Sequence, residues 1–171
     1  MKYIRYQAGV GMIEVLVALL VLALGVLGYV AVQLRAIDAS AEALTKSQAI
    51  LVMRGLAENI RSNPVAMSTY PAQVQSYIGY SSSTSEPTTC LNSVCTPEQM
   101  ATYDAYSAAK NADQYGMKLT MDDCPGVTTS MSMRRKCLYT FWGKTTPIIS
   151  NCMTTTGTYV SGSTCLMMEV Y

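Results

Sequence analysis

Glu14 is the side chain whose position most demands a chemical reason. It stands near the start of "GVGMIEVLVALLVLALGVLG" (Gly9–Gly28), and no other charged residue occurs between Val10 and Val32. A carboxylate at mid-bilayer costs about 2.5–3.5 kcal/mol on insertion scales, so an acid inside such a run implies a partner or a function. The plainer alternative is a glutamate snorkelling to the headgroups from one turn inside the helix end. The other reactive side chains lie in the second half: Cys90, Cys95, Cys124, Cys137, Cys152 and Cys165, the acid pair Asp122-Asp123, and the basic run Arg134-Arg135-Lys136. An even cysteine count confined to one half reads as disulfides in an oxidising compartment, and no CxxC pair supports zinc instead. Six cysteines can pair in many ways and sequence does not choose among them; the working expectation joins neighbours, Cys90 with Cys95, Cys124 with Cys137 and Cys152 with Cys165. The absence of histidine from the chain excludes histidine-dependent triads and His-containing zinc sites, and leaves no imidazole to activate a catalytic thiol. No metal, cofactor or catalytic residue is expected.

Composition says where these residues sit. Half of the residues are apolar and only 13% are charged, against about 25% in ordinary soluble domains, so part of the chain leaves water. Twelve basic and eleven acidic residues give a formal net charge of +1, too little for binding driven by nucleic-acid phosphates. Met1–Gly9 carries Lys2 and Arg5 and no acid, which places this end in the cytoplasm and the chain after Val32 outside. Val10–Val32 would form a helix of ~35 Å, enough to span a bilayer. A cleaved secretory signal fits poorly, because the nearest small-residue site, Ala39-Ser40-Ala41, follows an over-long core and lies beyond Arg35 and Asp38.

The helical pattern continues past the membrane run. Gln33 to Asn63 has no proline and one glycine, Gly55, and Ile37, Ala41, Leu44, Leu51, Val52, Leu56 and Ile60 form one apolar stripe. Glu42 precedes Lys46, and Arg54 precedes Glu58, at the i,i+4 spacing that supports a helix. Pro64 ends it, because the residue before a proline disfavours the α conformation. The whole piece would be a rod of ~75 Å.

These residues resemble a known family. Gly9 followed by Val10-Gly11-Met12-Ile13-Glu14-Val15-Leu16 is similar to the processing motif of type IV prepilins and type II secretion pseudopilins, in which a short basic leader ends in glycine and a glutamate stands fifth in the mature chain. The resemblance implies that Gly9 ends the leader, that Val10 becomes the first mature residue and is N-methylated by the prepilin peptidase, and that Glu14 sets filament register. Valine stands where most members have phenylalanine. "SQAILVMRGLAENIRSNP" (Ser47–Pro64) and "CTPEQMATYDAY" (Cys95–Tyr106) resemble the PilV-type minor pilins. Cleavage would remove Lys2 and Arg5 and take the side-chain charge from +1 to about −1.

Pro64 to Tyr171 reads as one small α+β domain whose thin core needs bridges. Val65–Tyr80 is a short helix or an extended lead-in, and "SSSTSEPTT" (Ser81–Thr89) is a polar loop. Thr96, Pro97 and Gln99 form a capping box opening a helix to about Lys110, with Met100, Tyr103 and Tyr106 along one side. "YGMKLTM" (Tyr115–Met121), "KCLYTFW" (Lys136–Trp142) and "TCLMMEVY" (Thr164–Tyr171) read as strands, and the last two pair antiparallel for want of a crossover helix. The basic run is expected to be a solvated strand entry near Asp122 and Asp123 rather than a DNA contact. The tyrosines and methionines read as core.

The expected architecture is therefore α+β and pilin-like: a long N-terminal α-helix, membrane-bound in its first half and amphipathic in its second, packed on a small antiparallel β-sheet head with disulfides. Its segments are a leader at 1–9, a transmembrane and filament-core helix at 10–32, the amphipathic continuation at 33–63 and a periplasmic head at 64–171. The resemblance implies a non-enzymatic minor type IV pilin. It would be held in the bacterial inner membrane and moved into an extracellular pilus serving twitching motility, adhesion or DNA uptake. Its implied partners are the prepilin peptidase, the major and other minor pilins and the inner-membrane assembly platform, with no direct nucleic-acid contact expected. A minor pseudopilin of a type II secretion system is the alternative, and a bitopic periplasmic enzyme with a signal anchor is a more distant one.

Overall fold

A computed structural model describes residues 9, 11–127 and 134–171. Its first element is α1 (Met12–Ser62), followed by a 3₁₀ turn (Pro64–Thr69), α2 (Tyr70–Ser76), α3 (Pro97–Gln114), β1 (Lys118–Asp123), β2 (Lys136–Phe141), a single helical turn α4 (Ile149–Cys152) and β3 (Cys165–Glu169). Internal contacts divide the chain into two units, Met1–Leu44 and Thr45–Tyr171. In the first unit, α1 contains a stretch long and apolar enough to cross a membrane, and no described residue of it is buried.

The second unit is the α+β body. Its sheet has the order β1-β2-β3 with both pairings antiparallel. Lys118 stands opposite Phe141 on one side, and Phe141 opposite Cys165 on the other. The central strand is buried on both faces: Leu138 joins the core shared with the helices, while Cys137, Tyr139 and Phe141 pack in a second cluster with Cys152, Cys165 and Met153. Short connections explain the antiparallel order, since only α4 lies between β2 and β3 and it is one turn long.

The helices end where local chemistry requires. Asn63 adopts φ −122° and ψ 64°, outside the helical region, as the following Pro64 demands. Thr96 Oγ1 accepts from Gln99 N–H at 3.2 Å while Gln99 Oε1 accepts from Thr96 N–H at 2.9 Å, the reciprocal cap the sequence predicts. Helix α3 then runs a turn beyond Lys110, to Gln114. It closes at Gly116 (φ 66°), where Met117 N–H bonds the Ala112 carbonyl and Gly116 N–H that of Asp113, each at 2.9 Å. That closure needs a left-handed residue, which glycine supplies without strain. It also consumes Tyr115 and Gly116, so β1 starts at Lys118 rather than Tyr115.

Two expected faces differ. On α1 the expected stripe holds at Val52, Leu56 and Ile60, which pack in the core with Ala49, Met53 and Ala57, whereas Ile37, Leu44 and Leu51 are 64%, 63% and 66% exposed. On α3 the buried line runs through Ala101, Ala105, Ala108 and Ala112; Met100 and Tyr103 are only half-buried. Small side chains let helix backbones approach closely, so the contact face is marked by alanine rather than by the bulkier aliphatic residues. Tyr106 is buried, but in a separate aromatic group, edge-on to Tyr77 and Tyr80 with ring centres 5.7 and 5.6 Å apart. Glu58 pairs with Arg61 at 2.9 Å rather than with Arg54.

Candidate functional site

Glu14 occupies the first turn of α1. Its Oε2 accepts the Gly11 N–H at 3.2 Å, and its own N–H donates to the Gly11 carbonyl at 3.0 Å. The first amides of a helix lack intrahelical acceptors, and negative charge is favoured at this end, so the carboxylate caps its own helix. Glu14, Gly9 and Gly11 are all exposed. Val10 and residues 1–8 of the expected leader lie outside the described residues. Chemically, the site is an exposed carboxylate at the start of a run with no other charge up to Val32, held among the described residues by one neutral donor that a cation would outcompete.

The cysteines are joined as Cys90–Cys95, Cys124–Cys137 and Cys152–Cys165, with Cα separations of 5.6, 4.9 and 5.8 Å. The second and third lie in the cluster behind β2; the first closes a surface loop. Among the described residues there is no free cysteine and no group of acids and cysteines arranged to hold a metal.

The three cations of the basic run share two carboxylates. Lys136 Nζ is 2.6 Å from Asp123 Oδ1, Arg134 bonds Asp123 Oδ2, and Arg135 bonds Glu169 at 3.0 Å. The ammonium of Lys136, reinforced by Arg134 against partial burial, holds the Asp123 carboxyl below the usual carboxylate range. Each cation has an acidic partner, and the run leads into β2 as a strand entry.

One polar cluster was not anticipated. Asp104, on the alanine side of α3, is 9% exposed. Its Oδ2 accepts from Tyr70 Oη at 2.7 Å and its Oδ1 from Asn59 Nδ2 at 3.2 Å. Asn63 Nδ2 donates to the Pro97 carbonyl at 2.8 Å and to Tyr70 Oη at 3.3 Å. Burial pushes the Asp104 carboxyl up, only partly offset by the Tyr70 hydrogen bond, and burial with the Asp104 bond pushes the Tyr70 phenol up. The available signal was an acid at the centre of "ATYDAYSAA" (Ala101–Ala109), surrounded by alanines at helical spacing.

The chain thus combines an apolar N-terminal helix capped by its own acid with a small disulfide-braced antiparallel head. Two family models match in succession: the prokaryotic N-terminal methylation motif over residues 4–30 and "Type IV pilin Tt1218" over residues 31–106. With the fold, these matches support a type IV pilin, a family of structural subunits. No curated protein and no solved structure matches the chain.

Proposed function

We propose that the chain is a PilV-like minor pilin of a type IV pilus, made as a prepilin and anchored in the inner membrane by residues 10–32 with the head in the periplasm. Prepilin peptidase cuts after Gly9 and methylates the new amine of Val10. Helices of neighbouring subunits then pack side by side. Glu14 exchanges the Gly11 amide for the ammonium of an adjoining subunit's first residue. In a low-dielectric helix bundle that pair is far stronger than in water, and leaving either charge alone is costly, so the contact fixes register. The subunit works by packing, register and surface display, alongside major and other minor pilins on the inner-membrane assembly platform, and catalyses nothing itself. Motility, adhesion or DNA uptake belong to the filament.

The observation carrying this reading is Glu14 itself: the one acid of the membrane-length run, in the first turn of its helix, inside the match to the methylation motif. The type IV pilin match over residues 31–106 supports a pilus over a secretion pseudopilus. The test is intact-mass spectrometry of the protein from membranes and sheared filaments. A mature chain starting at Val10 with one added methyl is expected; a chain retaining Met1–Gly9 ends the proposal.

A further inference from the structure

Asp104 is a buried carboxyl held by neutral groups alone. It is contributed by α3, and it receives the Tyr70 hydroxyl from α2 and the Asn59 amide from α1. One side chain thus joins three helices of the head. It also lines two surface depressions. One, of about 450 Å³, runs between α1 and α3 past Gln48, Asn111 and Tyr115; the other, of about 330 Å³, lies beside Ser62, Thr96 and Met100. Neither depression holds a second charged residue among those described, so solvent protons reach Asp104 while no protein cation does. The titratable group facing it is the Tyr70 phenol; α1 presents Asn59, and Asn63 reaches it only through Tyr70.

We propose that Asp104 is a proton-operated clasp, fastening α1, α2 and α3 most firmly when neutral and loosening them when it ionises. The physical reason is the missing counter-charge. An ionised carboxylate out of water is costly unless paired, and two neutral donors replace its hydration incompletely. Adding one proton from solvent turns one oxygen into a donor, which the Asn59 carbonyl accepts once that amide turns over, while Tyr70 continues to donate to the other oxygen. Both carboxyl oxygens and the Tyr70 hydroxyl are then satisfied without a buried charge.

Burial raises the carboxyl above its ordinary value in the folded head. Its contribution is therefore complete below the unfolded value of about 3.9 and is lost as pH rises through the folded one. The chain is well suited to reveal this, because it has no histidine and no free cysteine among the described residues. Few other groups titrate between about pH 5 and pH 8.

The experiment is thermal unfolding of the full-length protein in detergent micelles from below the ordinary carboxylate value of about 3.9 up to about pH 8, for the natural chain and Asp104→Asn, with ¹³C NMR titration of the Asp104 carboxyl. The expected result is a midpoint that falls by a few degrees as pH rises in the natural chain, a flat profile in the variant, and a carboxyl titrating above the ordinary value. Equal slopes in the two chains, or a carboxyl titrating near the ordinary value, overturn the proposal. Should Asp104→Asn fail to fold, the carboxyl titration of the natural chain decides alone.

Discussion

Three acids in this chain meet three environments, and their partners rather than their type decide what each does. Asp123 lies between Lys136 and Arg134 and stays ionised. Its stabilising contribution is present above about pH 3.9 and lost as pH falls through its lowered value, opposite in sign to that of Asp104. Among the described residues Glu14 has neither a cation nor burial, only the Gly11 amide. It is therefore free to be claimed by a charge on another molecule, and its substitution separates anchoring from assembly. Glu14→Ala removes the about 2.5–3.5 kcal/mol cost of a charge in the membrane run, so insertion proceeds at least as well as before. Leader cleavage also continues, because Gly9 is untouched, while incorporation into fibres falls sharply. Immunoblots of membrane and sheared-filament fractions measure both, and undiminished Glu14→Ala in filaments contradicts the pairing role.

At the scale of elements, the parts written in local chemistry were legible and the parts decided by packing were not. Thr96 and Gln99 announced the start of α3, and Pro64 announced the end of α1, because caps and pre-proline sterics act within a few residues. Strand β2 showed through its β-forming residues and β1 through its alternation, with β1 displaced by the closure at Gly116. On α1 the expected stripe holds at Leu56 and Ile60 but not at Leu51, which is exposed while Ala49 is buried, and on α3 close helix contact selects alanine over Met100 and Tyr103. Asp104 was missed for the same reason: an acid among small residues looks solvent-facing until the partner helices are in place. This contact face is testable. Ala105→Leu inserts bulk into a position 1% exposed and should destabilise the head by about 1–3 kcal/mol through overpacking. Leucine at half-buried Met100 is a near-isosteric control costing less than about 1.5 kcal/mol. Chemical denaturation of the two variants compares them, and equal midpoints would show that the alanine line is not a tight contact.

For the whole molecule, the disulfides decide how a head of this size stays folded. Small domains bury too little apolar surface to be secure on packing alone, with typical stabilities of about 5–15 kcal/mol. Here the bridges are divided by task. Cys124–Cys137 and Cys152–Cys165 each close a separation of 13 residues and pack behind β2 with Tyr139 and Phe141, covering the sheet face the helices leave bare. Cys90–Cys95 closes a separation of only 5 in a surface loop just ahead of the α3 cap. Neighbour pairing makes local loops, which restrain the unfolded chain modestly: about 3 kcal/mol for the longer loops and about 2 kcal/mol for the shorter one by loop-closure entropy. The buried bridges lose packing as well when removed, since their sulfurs belong to a core cluster. The double variant Cys124→Ala/Cys137→Ala should therefore lower the unfolding midpoint clearly more than Cys90→Ala/Cys95→Ala, a difference readable by thermal circular dichroism on full-length protein in detergent. If removing the surface bridge proved the more damaging, the head would depend chiefly on holding the approach to α3 in place, and the cluster behind β2 would be covering rather than support.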